Sequence, residues 1–345
     1  MSGNSVDEMN APTFIVGANR SGTTLVRLIL NAHSRIAIPD ELIYFDSYLA
    51  GAPIESWRAP GLSETTYSAF VKDFLDRASV SLPGLDPAAL TSRILEAPPN
   101  FRRPYQLVLD AWARHHGKPR WGEKTPGNLF YADILYDMFP EARFIYVVRD
   151  PRAGVASMQR VSFFPDDVVF NALSRRKHDT TGRATLERHV PAPRRMTIRY
   201  EDLVRDPAPM VRTLCDFIGE DFEPSMLHFH RDADDYMKAE AAQDYNAAAT
   251  APISATKIDA WKDRLTTDEV AIVEYICRDV MRRFGYRAVM PGPRPADRVR
   301  MAIKTLYWHV QCWRHRDLRH YTVKHPMMAR TRHRLRNLLR IAPGA

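Results

Sequence analysis

Thr13-Phe14-Ile15-Val16-Gly17-Ala18-Asn19-Arg20-Ser21-Gly22-Thr23-Thr24 is the stretch that decides how this chain is read. Thr13 to Val16 form a short apolar run of strand character, and Leu25 to His33 continue as an amphipathic helix. A strand, a glycine-bounded loop and a helix start, in that order, make an anion cradle. The first N–H groups of a helix have no intrahelical partner, and the helix dipole favours negative charge there. The spacing is that of a phosphate-binding loop, G-x-x-x-x-G-K-[ST], but Thr23 stands where the lysine belongs. That lysine serves the β- and γ-phosphates of a nucleoside triphosphate, so its absence argues against ATP or GTP hydrolysis. Arg20 is the fixed cation within the loop. The competing reading is a plain turn between strand and helix, and the Gly, Ser and Thr residues at this spacing favour anion binding.

Outward from that loop, strand-like and helix-like segments alternate. Strands are expected at Phe14–Val16, Ile36–Ile38, Trp121–Lys124, Phe144–Val148 and Met196–Tyr200. Helices are expected at Thr24–His33, Ser63–Ser79, Pro87–Glu96, Tyr105–His116, Asn128–Met138 and Arg152–Gln159. This order predicts an α/β fold, a P-loop-like parallel sheet flanked by helices. Asp206-Pro207 to Gly219 is a punctuated helix, and Thr266 to Glu269 form a capping box that opens a helix running to Gly285. Pro165 to Pro193 reads as a partly helical surface insertion, and His230 to Ser254 as a mobile loop. The proline-rich run Pro291 to Pro295 marks a boundary between a domain over 11–290 and a basic helical extension over 291–345.

A second anion site follows the run Phe144 to Val148. Arg149-Asp150-Pro151-Arg152 lies where a strand delivers cations to a helix start, at the carboxyl edge of the sheet. Arg149 and Ser157 read as phosphate-binding residues; Asp150 reads as a helix cap or an arginine partner. Two anion-binding turns in one α/β domain suit a ligand with two phosphates.

Together these residues resemble the sulfotransferase family that uses 3′-phosphoadenosine 5′-phosphosulfate. Arg20, Ser21, Gly22, Thr23 and Thr24 match its 5′-phosphosulfate loop, and Arg149 and Ser157 match its 3′-phosphate residues. The resemblance extends from about Thr13 to about Tyr286 and takes in Tyr200, Ser254 and Lys257, which it implies are cofactor-binding. Asn19 departs from the proline usual in the family. Glu41, in Ile38-Pro39-Asp40-Glu41, corresponds to the catalytic base in the branch that includes tyrosine- and carbohydrate-sulfating members. Asp40 is the neighbouring alternative, and an acidic helix start is the plain reading of both. Lys124 matches a lysine beside the transferred group, and Arg20 stabilises charge on the departing nucleotide. The donor is then 3′-phosphoadenosine 5′-phosphosulfate, the acceptor a hydroxyl of a carbohydrate, lipid, peptide or small molecule, and no metal takes part. The Glu55–Phe101 and Pro165–Pro193 stretches are expected to set the acceptor.

The 345 residues, 45% hydrophobic and 26% charged, have ordinary globular proportions. Cys215, Cys277 and Cys312 show neither metal-ligand nor redox spacing. With no apolar leader near the N-terminus, a cytoplasmic location is expected, with peripheral contact at a membrane surface as a variant of it. The net charge of +8 hides an asymmetry: Pro291 to Ala345 carry +11, leaving −3 for the rest. That tail suits an anionic membrane or an acidic partner, and no motif for specific nucleic-acid recognition accompanies it. The rival functional readings are a P-loop-type kinase for a nucleotide or small molecule, and a non-enzymatic nucleotide-binding module that docks through its tail.

Overall fold

A computed structural model describes residues 11–49, 57–58, 60–231 and 251–314. Its centre is one parallel sheet of β1 (Thr13–Gly17), β2 (Ile36–Ala37), β3 (Arg120–Lys124), β4 (Arg143–Val148) and β5 (Arg195–Arg199). The spatial order is β2-β3-β1-β4-β5. Each strand lies on a run singled out in the sequence. β1 and β4 are covered on both faces, so they read as unbroken apolar stretches rather than alternating ones. Along β1, Phe14 and Val16 join one core while Ile15 joins the other; along β4, Phe144 and Tyr146 part from Ile145 and Val147 in the same way. The first core is aromatic, with Tyr44, Phe45, Phe70, Phe74 and Tyr105 in ring contact.

The strand order fixes where a ligand can sit. The chain leaves β1, builds β2 and β3 on one side, then crosses to build β4 and β5 on the other. β1 therefore has β3 and β4 as neighbours, with Ile15 level with Lys124 and Gly17 level with Val147. The carboxyl ends of β3, β1 and β4 are thus neighbours at the topological switch point, where open α/β sheets bind ligands.

The described helices that matter here are α1 (Thr23–Asn31), α2 (Glu64–Ser81), α3 (Arg102–His115), α4 (Pro151–Met158), α5 (Val168–Lys177), α6 (Pro207–Ile218), α7 (Thr267–Ile276) and α8 (Pro295–Arg314). The Thr266/Glu269 capping box forms as expected, and Gly219 ends α6 in the left-handed region, although Asp206 makes no side-chain cap bond.

Several expectations need correction. Pro165 to Pro193 is not a surface insertion: α5 buries Val169, Asn171, Ala172, Leu173, Ser174 and Arg175. It runs on through a π-helical turn, His178–Gly182, into the helix Arg183–His189. The segment after the capping box breaks at Cys277 and resumes as a short helix, Arg278–Arg283. The first half of Asn128–Met138 is a 3₁₀ helix, Pro126–Tyr131. Residues 232–250, most of the expected mobile loop, lie outside the described residues.

Candidate active site

The loop after β1 is built on tight approaches. A Cβ on Gly17 would lie 2.5 Å from the Val147 carbonyl oxygen, so only glycine lets β1 run this close to β4. Arg20 (φ 64°) and Gly22 (φ 99°) both occupy the left-handed region, and holding a non-glycine residue there costs about 1–3 kcal/mol. That strain turns the backbone before α1 begins. A Cβ on Gly22 would lie 2.4 Å from the Tyr200 ring, which closes the loop from the β5 side. The Ser21 hydroxyl is buried with no protein partner, an arrangement suited to an incoming anion. Thr23 is buried at the start of α1, and Thr24 is half-buried beside it. Gly22→Ala meets both a disfavoured φ and the Tyr200 ring, and is expected to abolish detectable binding of adenosine 3′,5′-bisphosphate in calorimetry.

The loop after β4 stands against the first one. Arg20 Nε donates to Ser157 Oγ at 3.1 Å, so the two anion turns are joined by a side-chain bond. Arg149 donates through Nη2 to the Lys257 carbonyl at 3.1 Å and approaches the Arg20 carbonyl at 3.4 Å, its guanidinium 4.1 Å over the Tyr200 ring. Burial pulls the Arg149 guanidinium below its ordinary value. The Lys257 amine is lowered too, first by burial and then by the repulsion of Arg149, Arg264, Arg160 and Arg20. Four arginines close enough to depress the Lys257 amine make this corner of the structure strongly positive, which suits an anion. Asp150 does what its position suggested: it accepts from the Arg152 backbone N–H at 2.9 Å and holds the Arg152 side chain, which also pairs with Glu274. Ser254 is exposed, its Oγ capping the short turn Ala255–Lys257.

At the end of β3, Lys124 is only 2% exposed. Its ammonium donates to Glu41 at 2.7 Å and to Asp40 at 3.3 Å. Burial opposes the charge on Lys124, but the two carboxylates outweigh it and lift the amine above its ordinary value. Burial alone would raise Asp40, yet Lys124 and Arg27 hold it below the usual carboxylate value. Glu123, one residue earlier, points to the other face and is fully buried. Burial and the nearby Glu41 push its carboxyl up to about 7, while Thr125 and Asn128 donate to it.

One residue that no sequence argument singled out ties these parts together. Arg175, on α5, is 1% exposed. It donates to Asp179 at 2.8 Å, to the Asn19 carbonyl at 3.3 Å and to the Arg149 carbonyl at 2.6 Å. One guanidinium therefore spans the backbones of both anion loops. Gly154 leaves room for it, since a Cβ there would lie 2.7 Å from Arg175 Nη1. Tyr146 of β4 donates to the other oxygen of Asp179 at 2.7 Å and completes the brace.

A family model described as the sulfotransferase family matches residues 12–224, well over half the chain. The chain belongs to the sulfotransferase family. A second model, the sulfotransferase domain, matches residues 177–285. Among relatives, protein-tyrosine sulfotransferase 1 of Danio rerio is 28% identical over 222 residues, 62% of this chain and 55% of that protein. The chain thus spans about half the length of the protein-tyrosine sulfotransferases it matches. The omega-hydroxy-beta-dihydromenaquinone-9 sulfotransferase of Mycobacterium bovis is 25% identical over 337 residues, covering 83% of this chain and 78% of its own. Among solved structures, the sulfotransferase domain of the Synechococcus PCC 7002 olefin synthase superposes with a TM-score of 0.52 at 25% identity, over 78% of this chain and 94% of that one. The fold, a P-loop-like parallel sheet between helices, is the one expected.

Proposed function

We propose that this sulfotransferase-family chain moves a sulfuryl group from 3′-phosphoadenosine 5′-phosphosulfate to a hydroxyl acceptor, with Glu41 as base. The observation that carries this reading is a junction. Lys124 with its two carboxylates, the loop of Arg20 to Thr24, and the Arg149–Ser157 turn end three adjacent strands at one sheet edge. The buried, unpartnered Ser21 hydroxyl and the arginines gathered around Lys257 fit a nucleotide with two anionic groups. In this reading Ser21 to Thr24 hold the 5′-phosphosulfate through helix-start amides and hydroxyls, and Arg149 and Ser157 hold the 3′-phosphate. Tyr200 and Lys257 wall that end of the pocket, with Ser254 beside them.

The acceptor oxygen bonds to sulfur while the bond from sulfur to the bridging phosphate oxygen breaks, and the electron pair leaves on the nucleotide. Glu41 takes the acceptor proton, and Lys124 and Arg20 offset the charge that grows on the transferring and departing oxygens. The positions of Glu41 and Lys124 favour an enzyme over a nucleotide-binding module that docks through its tail. The relatives' names speak of protein tyrosine and of an omega-hydroxy menaquinone, both hydroxyl-bearing, which supports a hydroxyl acceptor as a class.

A thermal shift separates this reading from a kinase. Adenosine 3′,5′-bisphosphate is expected to stabilise the protein by about 2.7 kcal/mol at a hundredfold excess over its Kd. ATP·Mg²⁺ is expected to do much less, because no loop lysine meets a triphosphate. Equal or greater stabilisation by ATP·Mg²⁺ would favour the kinase.

A further inference from the structure

α8 is amphipathic twice over. One face is anchored: Met301 and Trp308 are buried in the cluster formed with α5 and α7, and Lys304 pairs with Asp167. On the opposite face Val299, Ile303, Leu306, Val310 and Trp313 are 43% to 68% exposed. Their spacing, alternately four and three residues, puts them in a single row along the helix. Scattered exposed apolar side chains need no explanation, but a continuous row of five on a helix fixed to the body does.

We propose that α8 is a docking helix that lies flat on an anionic lipid bilayer through this row. The charge pattern selects that occupant. Arg298 and Arg300 are exposed on opposite sides of the row, and exposed Arg314 follows Trp313 at its end. Residues 315–345 add seven Arg and one Lys against Asp317. A second copy of this chain, or residues 315–345 folded back, would set positive charge against positive charge. A bilayer bearing anionic headgroups takes the apolar row into its interfacial region and meets the arginines around it. Trp313 and Tyr307 are side chains that favour that depth. From Val299 to Trp313 the row runs about 21 Å at the helical rise. No helix among the described residues is long and apolar enough to cross a membrane, so α8 would lie on the surface. This inference is independent of the catalytic reading.

The test is co-sedimentation of the full chain with vesicles of phosphatidylcholine alone, or of phosphatidylcholine with one third phosphatidylglycerol, beside an Ile303→Ser/Leu306→Ser variant that keeps the net charge. The wild type is expected to partition at least tenfold more strongly onto the phosphatidylglycerol vesicles. The double variant is expected to lose at least tenfold of that binding, with an unchanged melting temperature because both side chains are exposed. Three outcomes overturn the proposal. If the wild type stays in the supernatant and the variant melts lower, residues 315–345 cover the row. If the variant binds as well as the wild type, basic charge acts without the row. If the wild type is a dimer that the variant dissociates and neither sediments with vesicles, the row joins two copies.

Discussion

Under the proposed mechanism, Glu41→Gln is expected to lower kcat by about 10²–10⁴ and to leave the Kd for adenosine 3′,5′-bisphosphate within about twofold. The first figure is the usual contribution of a positioned general base. The second follows from placement: Glu41 follows β2 and pairs with Lys124 at the end of β3, whereas the two anion loops follow β1 and β4. Glutamine keeps the shape and can still accept from Lys124, so what it removes is basicity and one charge. Asp40→Asn is the control. Lys124 and Arg27 hold Asp40 below the usual carboxylate value, which weakens it as a proton acceptor. Its replacement should therefore cost far less in rate. The measurement is turnover with a hydroxyl acceptor that the wild type sulfates, alongside calorimetric nucleotide binding for both variants. A dead Asp40→Asn beside an active Glu41→Gln would move the base to Asp40. Full activity in both would remove the base from this mechanism.

The parts of the site legible in the sequence are those whose signal is local. A glycine-bounded loop between an apolar strand and a helix can be read from twelve consecutive residues, and so can the Arg149 turn. β1 and β4 were the most legible strands because a sheet buried on both faces needs unbroken apolar runs, whereas β3 and β5 carry charged residues at their ends and β2 is two residues long. Lys124 was harder. In sequence it is one more lysine before Thr-Pro, and only the parallel pairing of β3 with β1 brings it beside the loop. Arg175 was invisible for two reasons. It sits in Ser174-Arg175-Arg176-Lys177, a run that reads as a solvated basic face, and two of its three partners are backbone carbonyls on distant loops. The one local trace was Asp179 four residues on, the spacing of a helical ion pair. That trace marks thousands of surface pairs and carries no information about burial. The same blindness made Pro165 to Pro193 look like an insertion, when it supplies the strut between the two loops.

Arg175→Met should be the most damaging substitution outside the reacting groups. It leaves Asp179 buried with Tyr146 as its remaining hydrogen-bond donor in the brace, and breaking a buried pair in this way costs about 3–5 kcal/mol. The sign of its pH dependence follows from Asp179. Burial already raises that carboxyl above its ordinary value despite Arg175. Without the guanidinium it rises further, so the folded variant holds a proton that the unfolded chain releases. Stability of the variant should then fall as pH climbs above the ordinary aspartate range, and the loss should be greater at pH 8 than at pH 5. Arg175→Lys separates bracing from folding. It keeps the charge for Asp179 but lacks the planar fork that reaches the Asn19 and Arg149 carbonyls together. This variant should fold with a modest drop in Tm yet bind adenosine 3′,5′-bisphosphate about tenfold more weakly, the equivalent of one lost charge-assisted bond at about 1.5 kcal/mol. Denaturation at both pH values and calorimetry on both variants are the measurements. Wild-type affinity in Arg175→Lys would reduce Arg175 to a core ion pair with no hold on the loops. A pH-independent loss in Arg175→Met would mean that Asp179 is not the group left exposed to the cost.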